Sequence, residues 1–137
     1  MVCVAISDRG GIVGRGVLLD FVRYVATKGI EVDPLSNYGI SLTQIKEMIE
    51  EEGLTLRQGD ILIVRSGLSK WIRASTPESV GPWERGTYIG VDPTPELIEW
   101  VWNQNFAAVA GDATSFESIP ASDKSCKHQK TLLRNQN

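Results

Sequence analysis

The 137-residue chain holds one histidine, His128, and two cysteines, Cys3 and Cys126. That scarcity narrows the chemistry. A zinc or manganese site needs a cluster of His, Cys, Asp or Glu, and a serine hydrolase needs a histidine as its base. His128 stands in a polar tail, so the sequence offers no complete catalytic set and no metal site. Two cysteines near opposite ends make no disulfide framework; reduced thiols and a cytoplasmic setting are expected. No apolar run approaches the length of a membrane span. The apolar start, Met1 to Ile6, meets Ser7-Asp8-Arg9-Gly10 too soon to be a signal-peptide core. Basic charge is not in excess either: 14 Lys and Arg stand against 17 Asp and Glu, a net of −3, which argues against a nucleic-acid partner.

The charge is unevenly spread. Residues 124–137 carry Lys124, Lys127, Lys130 and Arg134 with no acid, leaving 10 basic against 17 acidic groups in residues 1–123. Beyond Pro120 the pattern turns to Ser, Lys, Gln and Asn, and residues 124–137 read as an unfolded tail on a single α/β domain.

The strongest feature present is Gly59-Asp60-Ile61-Leu62-Ile63-Val64-Arg65-Ser66-Gly67. Four aliphatics between two turn signals predict a strand buried on both faces, in the middle of a sheet. Phe106-Ala107-Ala108-Val109-Ala110 predicts a second buried strand. Ile12 to Asp20 reads as a strand in which Gly14 and Gly16 mark a bulge or a close backbone approach. It lacks the ending of a phosphate-binding loop and the spacing of the dinucleotide fingerprint. Val2 to Ile6 is a further short strand.

Helices have clear starts. Asp20 to Ala26 predicts a short one ended by Lys28-Gly29. Ser41-Leu42-Thr43-Gln44 is a capping box, followed by Leu42, Ile45, Met48 and Ile49 on one face and Gly53 as the stop. Thr94-Pro95-Glu96 opens another, with Thr94 as cap, Pro95 in the first turn and Glu96 complementing the dipole. Leu97, Ile98 and Val101 form its buried face, with Trp100 or Trp102 at the flank. Leu68 to Arg73 is a short helix or loop. Ser75 to Pro93 is long for a connection, and Trp83 and Tyr88 make it a candidate lid or binding loop.

Candidate site residues gather at strand ends, where ligands of open α/β sheets usually sit. Arg65 and Ser66 follow the central strand, with Trp71 just beyond. Asp112, Ser115 and Glu117 follow the second strand, and for Asp112 a turn or cap is an equal reading.

Gly11-Ile12-Val13-Gly14-Arg15-Gly16-Val17-Leu18-Leu19-Asp20 resembles a stretch of the cyclase family, the metal-dependent hydrolases that include bacterial kynurenine formamidase. The resemblance continues through Ser41–Ile49, Arg57–Gly67, Gly90-Val91-Asp92 and Pro95. It closes with Ala107–Asp112 and Phe116-Glu117, and the wording is nearest the fungal branch. It implies an incomplete swivelling β/β/α domain over residues 1–123, a mixed sheet with flanking helices, and a non-family tail over 124–137. It also implies hydrolysis of a small-molecule amide such as N-formylkynurenine, in tryptophan catabolism, at zinc or manganese. Homo-oligomers are a further expectation.

The family's metal motif, His-x-Gly-Thr-His-x-Asp, lies before the Gly11–Asp20 stretch, and nothing here matches it. The resemblance stops at Asp123, before a later His and Glu of the family; His128 falls nearby in a different context. Two readings follow. The chain is a fragment of an amidohydrolase truncated at both ends, or a non-catalytic remnant that binds or dimerises. An exposed sheet edge would favour pairing.

Overall fold

The computed structural model describes residue 8, residues 10–76 and residues 86–120. The expected strand Val2–Ile6, the tail 124–137, both cysteines, Trp83 and His128 lie outside these residues. The elements run β1 (Gly16–Asp20), α1 (Phe21–Lys28), β2 (Gly39–Ile40), α2 (Leu42–Glu51), β3 (Ile61–Arg65), α3 (Leu68–Ala74), β4 (Gly90–Val91), α4 (Pro95–Asn103) and β5 (Ala108–Gly111).

Three strands form one sheet in the order β1-β3-β5, and β2 pairs with β4 in a second. All three ladders are parallel, with Leu18 level with Ile63 and Ile63 level with Ala110. Parallel neighbours require a crossover, which is why helices separate the strands. In place of the expected mixed sheet, the described residues form two parallel sheets. Antiparallel pairing among the described residues is limited to the isolated Tyr88–Ile119 bridge.

Local chemistry sets the helix ends. Asp20 accepts from the Arg23 N–H to cap α1, and Gly29, at φ +65°, closes it in the left-handed region that glycine adopts freely. In α2 the capping box is complete: Ser41 Oγ accepts from Gln44 N while Gln44 Oε1 accepts from Ser41 N. Thr94 caps α4 through the Leu97 N–H.

The core lies on one face of the three-stranded sheet. Leu19, Leu62 and Val64 pack there with Phe21, Tyr24, Ile45, Met48 and Leu97. Full burial of each such side chain contributes about 1.5–3 kcal/mol. Ile40, Ile89 and Val91 carry the same core into the smaller sheet.

The other face differs from expectation. β3 is central, yet only Leu62 and Val64 are buried, and Ile61, Ile63 and Arg65 are half-buried. β5 is not a second buried strand; among the described residues it is an edge, with Val109 39% exposed. The helices that contact the sheet lie against its Leu19–Leu62 side, and Leu18 on the opposite side is 48% exposed. The glycines of the first strand mark a close approach: a Cβ on Gly14 would lie 3.2 Å from the Gly59 carbonyl oxygen.

Candidate functional site

The carboxyl ends of β1, β3 and β5 are tied together by two carboxylates. Arg65, the last residue of β3, donates from Nη1 to Asp20 Oδ2 at 2.7 Å, across the ladder from β1. The same Asp20 caps α1 through its other oxygen. Asp112, just past β5, receives the Ser66 N–H at 2.5 Å, the Ser66 hydroxyl at 2.7 Å and the Gly67 N–H at 3.1 Å. Ser69 Oγ donates to the Asp112 carbonyl at 3.3 Å. Gly67 has φ +101°, and a Cβ there would meet Val22 Cγ2 at 2.8 Å, so this turn into α3 requires glycine.

Beside these ties an open hollow of about 490 Å³ runs over the outer face of the sheet. Its floor is Leu18, Ile63 and Ala110, and its rim carries Arg65, Lys70 and Arg73. That volume is within the range of small-molecule sites.

The structure therefore brings together Arg65, Ser66 and Asp112. It does not bring in the rest. Trp71 lines a second hollow of about 260 Å³ with Phe21, Val25 and Pro34, which touches the first group through Ser66 and Lys70. Ser115 donates its hydroxyl to the Glu117 carbonyl oxygen. Glu117 lines an apolar cavity of about 90 Å³ with Val91, Leu97, Trp102, Val109 and Phe116, and burial raises its pKa. The reason lies in the backbone. Val91 N–H donates to the Phe116 carbonyl and Ser118 N–H to the Val91 carbonyl, drawing residues 116–118 across to β4. The expected single pocket edge of Arg65, Ser66, Asp112 and Glu117 is thus two places.

Three rim residues, Ser69, Lys70 and Arg73, escape a reading of the sequence, although the i, i+3 spacing of Lys70 and Arg73 puts them on one helix face. Asp60 escapes it too. Only 3% exposed, it accepts from Arg15 Nε at 2.9 Å, Arg15 Nη2 at 2.6 Å and the Arg57 N–H at 2.7 Å. The Arg15 hydrogen bonds hold the Asp60 carboxyl below its ordinary pKa. This pair fastens the amino end of β3 as Asp112 fastens the carboxyl end.

A family model described as "Putative cyclase" matches residues 6–118. The chain belongs to the cyclase family. A crystal structure described as that of "a novel cyclase" is 27% identical, with a TM-score of 0.69, over 80% of this chain. The match takes in 34% of that cyclase's chain, so this chain spans about a third of its length. No curated protein matches.

Cyclase membership raises the question of a metal. Among the described residues no group of three or more His, Cys, Asp or Glu is placed to hold one. Asp20, Asp60 and Asp112 each accept from donors already in place. The described donor set does not fit a zinc or manganese ion. Nor does Ser66 have a base of the kind a nucleophile needs, since its hydroxyl donates to a carboxylate that backbone N–H groups hold in place. Among the described residues no helix is long and apolar enough to cross a membrane.

Proposed function

We propose that this chain is the central scaffold of a cyclase-family amidohydrolase of the kynurenine formamidase kind, acting on N-formylkynurenine or a similar amide. The observation that carries the reading is the family match over residues 6–118, supported by the 27% identical solved cyclase. The reading includes a role in tryptophan catabolism and a requirement for zinc or manganese. No chemical step is assigned to a metal, because the described residues do not form its ligand set. The role of these residues is positional: Asp20 and Asp112 hold the three strand ends in register, and the hollow above them supplies an apolar wall for a small substrate.

The 137-residue polypeptide by itself is expected to be inactive. The test is hydrolysis of N-formylkynurenine by the purified chain with added zinc or manganese, followed by release of kynurenine. Absence of turnover is expected; metal-dependent turnover would overturn the inactivity.

A second reading, a binding or dimerising module, is favoured by the exposed face of β1 and by the edge of β5, which is unpaired among the described residues. Sheet edges left open invite pairing. Light scattering across a concentration series separates a dimer from a monomer.

A further inference from the structure

We propose that the hollow on the outer face of the β1-β3-β5 sheet binds a small carboxylate with an apolar body, such as an aryl- or alkyl-carboxylic acid. Its floor is apolar: Leu18, 48% exposed, with Ile63 and Ala110 level with it on the neighbouring strands. Its rim is cationic: Arg65, Lys70 and Arg73. Two acids, Asp112 in the lining and Asp20 beside Arg65, are already engaged. Asp20 holds Arg65 and caps α1. Asp112 faces the Ser66 and Gly67 N–H groups and the Ser66 hydroxyl.

Lys70 and Arg73 therefore have no carboxylate partner among the described residues. One helical turn apart on α3, they stand over an apolar floor. Apolar surface of this kind favours a hydrocarbon body. Two cations at its rim favour an anionic head, and a guanidinium matches a carboxylate in bidentate geometry. Phosphate alone would leave the floor uncovered, and a neutral hydrocarbon would leave the cations unpaired. The hollow, about 490 Å³, suits a molecule of one ring and a short chain.

This inference uses the hollow that the proposed function gives to the substrate, but binding is measured without turnover, so either reading can fail alone. The probes are 4-phenylbutyrate and its neutral counterpart 4-phenylbutanol, titrated into the full chain by calorimetry and by amide chemical shifts. The carboxylate is expected to bind roughly tenfold more tightly than the alcohol, as one charge-assisted contact implies. Shifts are expected at Leu18, Ile63, Lys70, Arg73 and Ala110.

The double variant Lys70→Gln/Arg73→Gln is expected to bind both probes equally, while Lys46→Gln on α2 keeps the preference. Leu18→Asp, which puts a carboxylate in the floor, is a second route to the same loss. Equal binding of the two probes to the unaltered chain would overturn the proposal. So would a preference that survives in the double variant, or shifts confined to the Glu117 or Trp71 cavities.

Discussion

Asp60 and Asp112 do the same work at opposite ends of β3, and each can be removed singly. Asp112→Ala leaves the Ser66 and Gly67 N–H groups without their acceptor. Because lost hydrogen bonds to a charged group cost more than neutral ones, it is expected to destabilise by about 2–4 kcal/mol. Ser66→Ala, which keeps both N–H contacts, is expected to cost about 1 kcal/mol. Urea unfolding of the two variants checks the order. Asp60 gives a pH signature. Arg15 lowers its pKa below the ordinary 3.8, so its stabilisation is complete above that value and is lost as pH falls through the lower folded value. Glu117 has the opposite sign. Burial raises it above 4.5, so its contribution is present below 4.5 and is lost as pH rises through the raised value. Asp60→Asn is expected to flatten the acid limb of stability below the ordinary 3.8, read from urea midpoints at each pH. An unchanged acid limb would remove the Arg15 pair as its source.

At the scale of elements, the smaller sheet depends on a glycine. A Cβ on Gly90 would lie 2.3 Å from the Glu117 carbonyl carbon and 2.5 Å from Ser118 N. Both are backbone atoms, so relief requires a shift of the main chain. Gly90→Ala is expected to destabilise by about 3 kcal/mol. Gly39→Ala is expected to cost less, because its near neighbour is the Asp92 side chain, at 2.8 Å. Thermal melts of the pair test the distinction.

The same scale separates what the sequence declares from what it conceals. The Ser41–Gln44 box, the Thr94-Pro95 start and the Ile61–Val64 strand are local patterns within a few residues, and the structure has all three. The two-residue strands β2 and β4 are too short for periodicity to register. The half-open face of β3 is concealed for another reason: which side of a strand is covered depends on where the helices come to lie. The site divides likewise. Arg65 and Ser66 stand out beside an apolar run, whereas the role of Asp60 needs Arg15, which is 45 residues away. The expectation that Glu117 joins Asp112 fails because backbone bonds to Val91 take it elsewhere.

For the whole molecule, the asymmetry of the sheet dominates. One face carries the core, and the other presents Leu18 on β1 and Ala110 on β5, which among the described residues is an edge strand with no charge or proline. Edges without such protection favour intermolecular pairing. Ala110→Lys, on the exposed outer side, is expected to reduce self-association with stability unchanged within about 0.5 kcal/mol. Light scattering and urea unfolding on one preparation read both outcomes.

The three ties that hold β3 to its neighbours join residues 45 or 46 positions apart: Arg15 to Asp60, Asp20 to Arg65 and Ser66 to Asp112. During synthesis, Ser66 therefore emerges 46 residues ahead of its acceptor. At about 5–20 residues per second the interval is roughly 2–9 s. Through it, β3, the most aliphatic of the described strands, is paired on one side only. A nascent chain of this design calls for a chaperone at that moment, and ribosomes that pause just before Asp112 would lengthen the exposure.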